Sequence, residues 1–272
     1  MRNPLYLALL SIPTVLGVAL AGPAAAAEAP CPVPKALRFE VEGKIVRDRV
    51  GLTQGLEFHD GKLFESTGRT EGETRLNTVG LDGKVTVLDD LGTAVFGEGL
   101  TILNGEVFQL TWQEHVVFVY DLSGKLLRKM TNPRLGWGLA SDGKSLIFTD
   151  GEGALHYADP KTFKLTRSIP LRAAGGKPPV WLNELEYVDG KLFGNVFTTD
   201  WIVEVDPNTG CMVAASDLSF LRGTMSPAER GAVEESSEHV LNGIARNAAT
   251  GLFYITGKRW PMIYVGRFRP AD

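Results

Sequence analysis

The stretch LNELEYVDGKLFGNVFTTD, residues 182–200, decides the fold. It holds two short runs of alternating apolar residues on either side of Asp189-Gly190. Asp-Gly and Asn-Gly between such runs are strong hairpin signals, because both central residues of the turn need positive φ. The stretch has four relatives in the chain: TQGLEFHDGKLFEST from Thr53, GEGLTILNGEVFQLTW from Gly97, GWGLASDGKSLIFTDG from Gly136 and LNGIARNAATGLFYITGK from Leu241. Each begins with a small or polar pair, then an aliphatic marker: Leu56, Leu100, Leu139, Leu185 and Ile244, spaced 39 to 59 residues apart. Further hairpin-like segments lie between them, including TVGLDGKVTVLD and VFVYDLSGKLLRKM.

Two hairpins in each repeat of roughly 45 residues make a four-stranded blade, and radially repeated blades make a propeller. Five repeats predict an all-β, five-bladed β-propeller. The segments 37–46 and 260–268 are expected to close the ring. The long last interval contains SPAERGAVEESSEH, where Ser226 can cap a helix beginning at Pro227, a short helical insertion before the last blade.

The first 27 residues read differently. Arg2 precedes an uncharged apolar stretch from Pro4 to Leu20 and then the run AGPAAAA, the pattern of a secretory signal cleaved after Ala27. Pro13 and Gly17 interrupt the run and nothing basic follows it, which disfavours a membrane anchor. The EAPC sequence before Cys31 lacks the residues expected of a lipoprotein site. The expectation is a signal over 1–27 and one domain over 28–272, exported to a periplasmic or secreted location. There Cys31 and Cys211 can pair, while spacing alone leaves two free thiols equally open.

Composition excludes several classes. The chain of 272 residues has a formal charge of −4, 44% hydrophobic and 22% charged residues, and two cysteines. It is neither disordered nor a disulfide-framework miniprotein. With no basic excess, nucleic acid is not an expected partner. GLASDGKS (138–145) fits the phosphate-loop pattern, but a strand follows where a helix is needed, so it reads as a hairpin turn. His59, His115, His156 and His239 lack metal-ligand spacing and read as strand-edge or surface residues; no metal or other cofactor is expected. No G-x-S-x-G elbow is present.

In a propeller the turns entering the innermost strands converge, so equivalent repeat positions meet in one funnel. Those positions carry Gln54, Glu98, Trp137, Asn183 and Asn242, with Trp112, Phe197 and Lys258 at the ends of the following strands. The set makes an aromatic mouth with one carboxylate, one ammonium and several amides, suited to a small molecule or a peptide end. Glu98, the single acid expected there, is the natural proton carrier.

The motifs TQGL, FGEGLT, LTW, GWGL, LNELEY, NVFTTD, LNGIA and TGKRWP resemble the plant-type glutaminyl-peptide cyclotransferase family, also found in bacteria. The resemblance runs from about Val41 to Phe268. It implies a five-bladed propeller that converts the N-terminal glutamine of peptides or proteins to pyroglutamate without zinc and releases ammonia. It also implies Glu98 and Lys258 as catalytic residues and Leu52, Gln54, Trp112, Trp137, Asn183 and Phe197 as substrate-binding residues. Two positions depart from the family pattern: Leu52 replaces the usual Phe, and Phe197 the usual Trp, which removes an indole N–H donor. A monomer free of the membrane after signal cleavage is expected. Two rivals share the fold: a non-catalytic ligand- or peptide-binding propeller, and a metal-dependent lactonase-like one that would need several carboxylates around a cation.

Overall fold

A computed structural model describes residues 29–68, 74–175, 178 and 181–271. The predicted signal segment lies outside them. Residues Cys31–Asp272 cluster as one compact unit. Twenty strands occur among the described residues. After β1 (Lys35–Val46), a first antiparallel sheet comprises β2 (Thr53–His59), β3 (Lys62–Thr67), β4 (Thr74–Gly80) and β5 (Val85–Gly92). A second comprises β6 (Gly97–Leu103), β7 (Glu106–Thr111), β8 (Val116–Asp121) and β9 (Leu126–Thr131). A third comprises β10 (Leu139–Ser141), β11 (Leu146–Phe148), β12 (Ala154–Ala158) and β13 (Leu165–Pro170).

The remaining strands are β14 (Leu182–Val188), β15 (Lys191–Val196), β16 (Trp201–Val205), β17 (Met212–Asp217), β18 (Leu241–Asn247), β19 (Leu252–Gly257) and β20 (Met262–Pro270). They form one sheet in the order β14-β15-β16-β17-β1-β20-β19-β18. Its halves meet at a short parallel contact, Lys35 with Ala214 and Ala36 with Ala215. β1 pairs antiparallel with β20 along nearly its whole length, so the N-terminal strand completes the last four-stranded half, as the two segments predicted to close the ring require. The Cys31–Cys211 disulfide, across a sequence separation of 180, ties that arm to the body. Arg47, just past β1, donates to Glu65 Oε1 (2.6 Å), Thr53 Oγ1 and the Trp260 carbonyl, fastening both ends of the chain to the first sheet.

The result is an all-β, propeller-like fold. The innermost strands neighbour one another in the cycle β2, β6, β10, β14, β18 and back to β2. Each apolar cluster is shared between neighbouring sheets or, in one case, between the two halves of the eight-stranded sheet. Leu110 and Val119 pack with Leu139 and Phe148, for example, and Leu56 and Leu63 with Tyr254 and Ile263. Strands buried on both faces need apolar residues at successive positions, which explains runs such as VVFVY. The inner strands approach so closely that a Cβ on Gly99 would stand 2.4 Å from Leu139 N, and one on Gly138 1.9 Å from Asn183 O. In the fourth repeat Glu184 takes the place these glycines hold.

Three predicted turns, Asp60-Gly61, Asn104-Gly105 and Asp189-Gly190, have both residues at positive φ. Asp82-Gly83 and Asp142-Gly143 do not: only the glycine is left-handed. There the aspartate carboxylate accepts the N–H two residues on, at Lys84 and Lys144, and holds a different turn. GLASDGKS is the β10–β11 hairpin, with no following helix. Two helices precede β18, α1 (Phe220–Gly223) and α2 (Pro227–Glu234); Ser226 caps α2 in a reciprocal capping box with Glu229.

Candidate active site

In an antiparallel hairpin the start of the first strand lies opposite the end of the second. The registers Thr53↔Thr67, Gly97↔Thr111, Leu182↔Val196 and Leu241↔Gly257 therefore bring Gln54, Glu98, Asn183 and Asn242 to the same edge as Trp112, Phe197 and Lys258. Directly after each of those first pairs the register shifts. Gln54, Glu98, Asn183 and Asn242 all lie inside these irregularities. A β-bulge releases a residue from ladder pairing and re-aims its side chain. In these four repeats the polar residue two positions before the aliphatic marker is thus released from the ladder.

Glu98 is 6% exposed and Lys258 5%. No side chain among the described residues hydrogen-bonds the Glu98 carboxylate. Burial pushes that carboxyl up to about 8; the Lys258 ammonium opposes the shift and the Glu114 charge adds to it. Burial likewise lowers the Lys258 ammonium, against the pull of Glu98 and Glu238. Lys258 Nζ lies 4.5 Å from the centre of the Phe197 ring, a cation–π contact. The Trp137 ring meets Phe197 edge-on at 5.6 Å, and its indole rests against Gly151, whose missing side chain leaves the room.

The amides complete the recess. Asn242 Nδ2 donates to Thr53 O (2.9 Å) and to Gln54 Oε1 (3.4 Å), leaving the Gln54 NH₂ as its donating end. Asn183 Oδ1 and Asn242 Oδ1 are buried acceptors without a donor. Trp112 stands at the rim, 36% exposed, its ring edge-on to Phe96 at 5.8 Å. Leu52 is buried, and its carbonyl accepts the Gly68 N–H. Of four surface hollows of about 100 to 510 Å³, only the smallest touches a predicted site residue, Leu52, and none is lined by Glu98. Convergent buried charge, not hollow size, picks out the site.

Two expectations are corrected. Glu98 is not the single acid of the inner strands. Glu184 bridges three of them, accepting Leu56 N–H (3.1 Å) and Ile244 N–H (2.8 Å). Glu186 accepts Arg246 N–H (2.9 Å) and Glu57 the Thr101 hydroxyl (3.0 Å). Burial holds Glu184 and Glu186 well above the usual carboxylate range and raises Glu57 to about 7. These carboxylates are engaged by protein donors, and among the described residues no group of three or more His, Cys, Asp or Glu is placed to hold a metal ion. The four glycines against one glutamate at the aligned position were a readable signal. Secondly, His156 is buried rather than at the surface, 2.9 Å from Asp150 and 2.8 Å from the hydroxyl of its cross-strand partner Ser168. This row staples β12 to β13 in the outer part of its sheet.

A buried acid and a buried amine thus share one edge of a propeller-like β scaffold. The glutamine cyclotransferase family model matches residues 14–268. A glutaminyl-peptide cyclotransferase of Arabidopsis thaliana is 36% identical over 239 residues, 86% of this chain and 72% of that one. The crystal structure of the Myxococcus xanthus glutaminyl cyclase superposes with a TM-score of 0.77 at 29% identity, covering 88% of this chain and 100% of that one. A Bacteroides thetaiotaomicron protein of unknown function shares the fold alone, at 13% identity and a TM-score of 0.53, over 81% of this chain and 70% of that one. The chain belongs to the glutamine cyclotransferase family.

Proposed function

We propose that this chain is a glutaminyl-peptide cyclotransferase working from the mouth of a five-bladed propeller. It closes the N-terminal glutamine of a peptide or protein to pyroglutamate and releases ammonia. The observation that carries the reading is the buried Glu98 carboxyl and the buried Lys258 ammonium, which act on each other's charge, with the Phe197 ring against Lys258, Trp137 against Phe197, and amide oxygens on the same edge that lack donors. One cycle of five innermost strands, with five apolar clusters, supports the blade count.

The α-amine must be neutral to attack the side-chain carboxamide carbon. Glu98 takes its proton as the new C–N bond forms, then gives a proton to the departing nitrogen, which leaves as ammonia when the old C–N bond breaks. A carboxyl near 8 suits both steps at neutral pH. The attack is intramolecular, so Trp137 and Phe197 act by holding the glutamine side chain curled over its own amine. The donating end of Gln54 and the Lys258 ammonium face the oxygen that becomes negative. Asn183 Oδ1 and Asn242 Oδ1 accept the N–H groups that the substrate brings.

An exported protein with residues 1–27 as its signal and the rest as one domain fits the apolar start of the sequence and the Cys31–Cys211 disulfide. No helix among the described residues is long and apolar enough to cross a membrane. The test is incubation with a glutaminyl peptide and assay of ammonia, with the N-acetylated peptide as control. Ammonia from the first alone supports the reading; none from either overturns it.

A further inference from the structure

Glu114 lies in the turn between β7 and β8, two residues after Trp112 and at the same edge as Glu98. Its side chain folds back across the chain, and Oε1 accepts the Phe96 N–H at 3.1 Å. The Phe96 carbonyl accepts the Trp112 N–H at 2.9 Å. Both backbone groups of Phe96, two residues before Glu98, are therefore fixed by this turn. The second oxygen, Glu114 Oε2, is buried and has no donor. A carboxylate oxygen removed from water without a partner is costly, and a polar donor that reaches it is held firmly. Glu114 is also close enough to Glu98 for its charge to act on that carboxyl, alongside Lys258.

We propose that Glu114 is a second carboxylate of the site, whose Oε2 receives an N–H of the substrate's α-ammonium group and so selects peptides with a free N-terminus. The proposal rests on the reading of the site given above. The ammonium has three N–H donors. One directed to Glu114 and another to Glu98 fix the nitrogen between the two carboxylates. With its third proton released to solvent, the neutral amine keeps these two N–H bonds and turns its lone pair toward the carboxamide carbon, and Glu98 takes a proton only as the C–N bond forms. Glu114 is then an anchor and takes no proton in the reaction. Glutamine at position 114 keeps an oxygen for the Phe96 N–H but offers the ammonium a neutral partner.

The experiment compares Glu114→Gln with the unaltered protein on a glutaminyl peptide and on its pyroglutamyl product, which keeps the peptide but lacks the ammonium. The expected result is a Michaelis constant raised about tenfold or more, a turnover number within about threefold, and an unchanged inhibition constant for the product. Glu114→Asp, which keeps the charge, should recover part of the loss. Equal weakening toward substrate and product would show that Glu114 only supports the Phe96 segment, and would overturn the proposal. So would an unchanged Michaelis constant, which means that water satisfies Oε2. Glu98→Gln in parallel separates the two readings: normal turnover in that variant sinks the site itself, whatever Glu114 does.

Discussion

Glu98→Gln is the sharpest perturbation, because it acts on chemistry and on stability in opposite directions. The substitution keeps size and shape but cannot take a proton. The carboxyl sits near 8, and the α-amine of a peptide titrates at about 7.7–8.0, so the two share a proton on nearly equal terms. Attack needs the amine neutral and Glu98 ionised, so the reactive complex carries neither proton, and kcat/KM should rise with pH and level off above about pH 8. Losing the shuttle should lower the turnover number at least about a hundredfold, with a much smaller change in the Michaelis constant. Stability should move the other way. Between the ordinary carboxyl value of 4.5 and about 8 the folded protein keeps a proton that the unfolded chain has released. The stability of the unaltered protein therefore falls as pH rises through that window. The variant lacks this term, so at pH 8 and above it should be the more stable, by on the order of 4 kcal/mol. The gain should vanish below about pH 4.5, and Glu57, Glu184 and Glu186 contribute equally to both proteins. Ammonia release and urea unfolding at pH 5, 7 and 9 check the two halves. A folded variant with near-normal turnover would move the chemistry to Lys258. A stability difference that does not change with pH would refute the burial argument.

Cyclisation should survive dialysis against a strong chelator; activity lost there and restored by zinc would place a metal in the reaction. Phe197→Trp should improve the cation–π contact with Lys258 and lower the Michaelis constant about two- to tenfold, measured by steady-state kinetics on one peptide. Glu184→Gln should cost about 1–3 kcal/mol in urea unfolding, because an amide can accept only one of the Leu56 and Ile244 N–H bonds and presents a donor to the other. The native protein should resist alkylation without reductant and weigh two hydrogens less than its reduced form. Cys31→Ser should lower stability by about 2–4 kcal/mol.

The strand order was legible because the hairpin code is local. Alternation and an Asx-Gly pair are complete within a dozen residues, and β2–β3, β6–β7 and β14–β15 follow from them directly. Asp82 and Asp142 show the limit of that code. The same dipeptide supports a turn held by a side-chain carboxylate, and the choice depends on what the flanking strands allow. Ring closure was legible for a different reason: an unpaired strand at each end of a cyclic repeat has one place to go. The parallel contact of Lys35 and Ala36 with Ala214 and Ala215 had no such signal, since neither segment carries a pattern that names its partner.

The site divides along the same line. Gln54, Glu98, Asn183 and Asn242 could be found because the repeat puts them in one column, and the bulges explain why that column is released from the ladder. Glu184 occupies the neighbouring column, where glycine is otherwise required by the close approach of the next inner strand. A side chain there must cross the channel rather than point at the neighbour, and its two oxygens meet the backbone N–H groups of Leu56 and Ile244. Glu114 is outside every column. In TWQEH it reads as an ordinary charge on a turn, and only the return of its side chain to Phe96, 18 residues earlier in sequence, half-buries it at the edge that carries Glu98. A repeat reports what all blades share. The groups that distinguish one substrate end from another are by nature what a single blade adds.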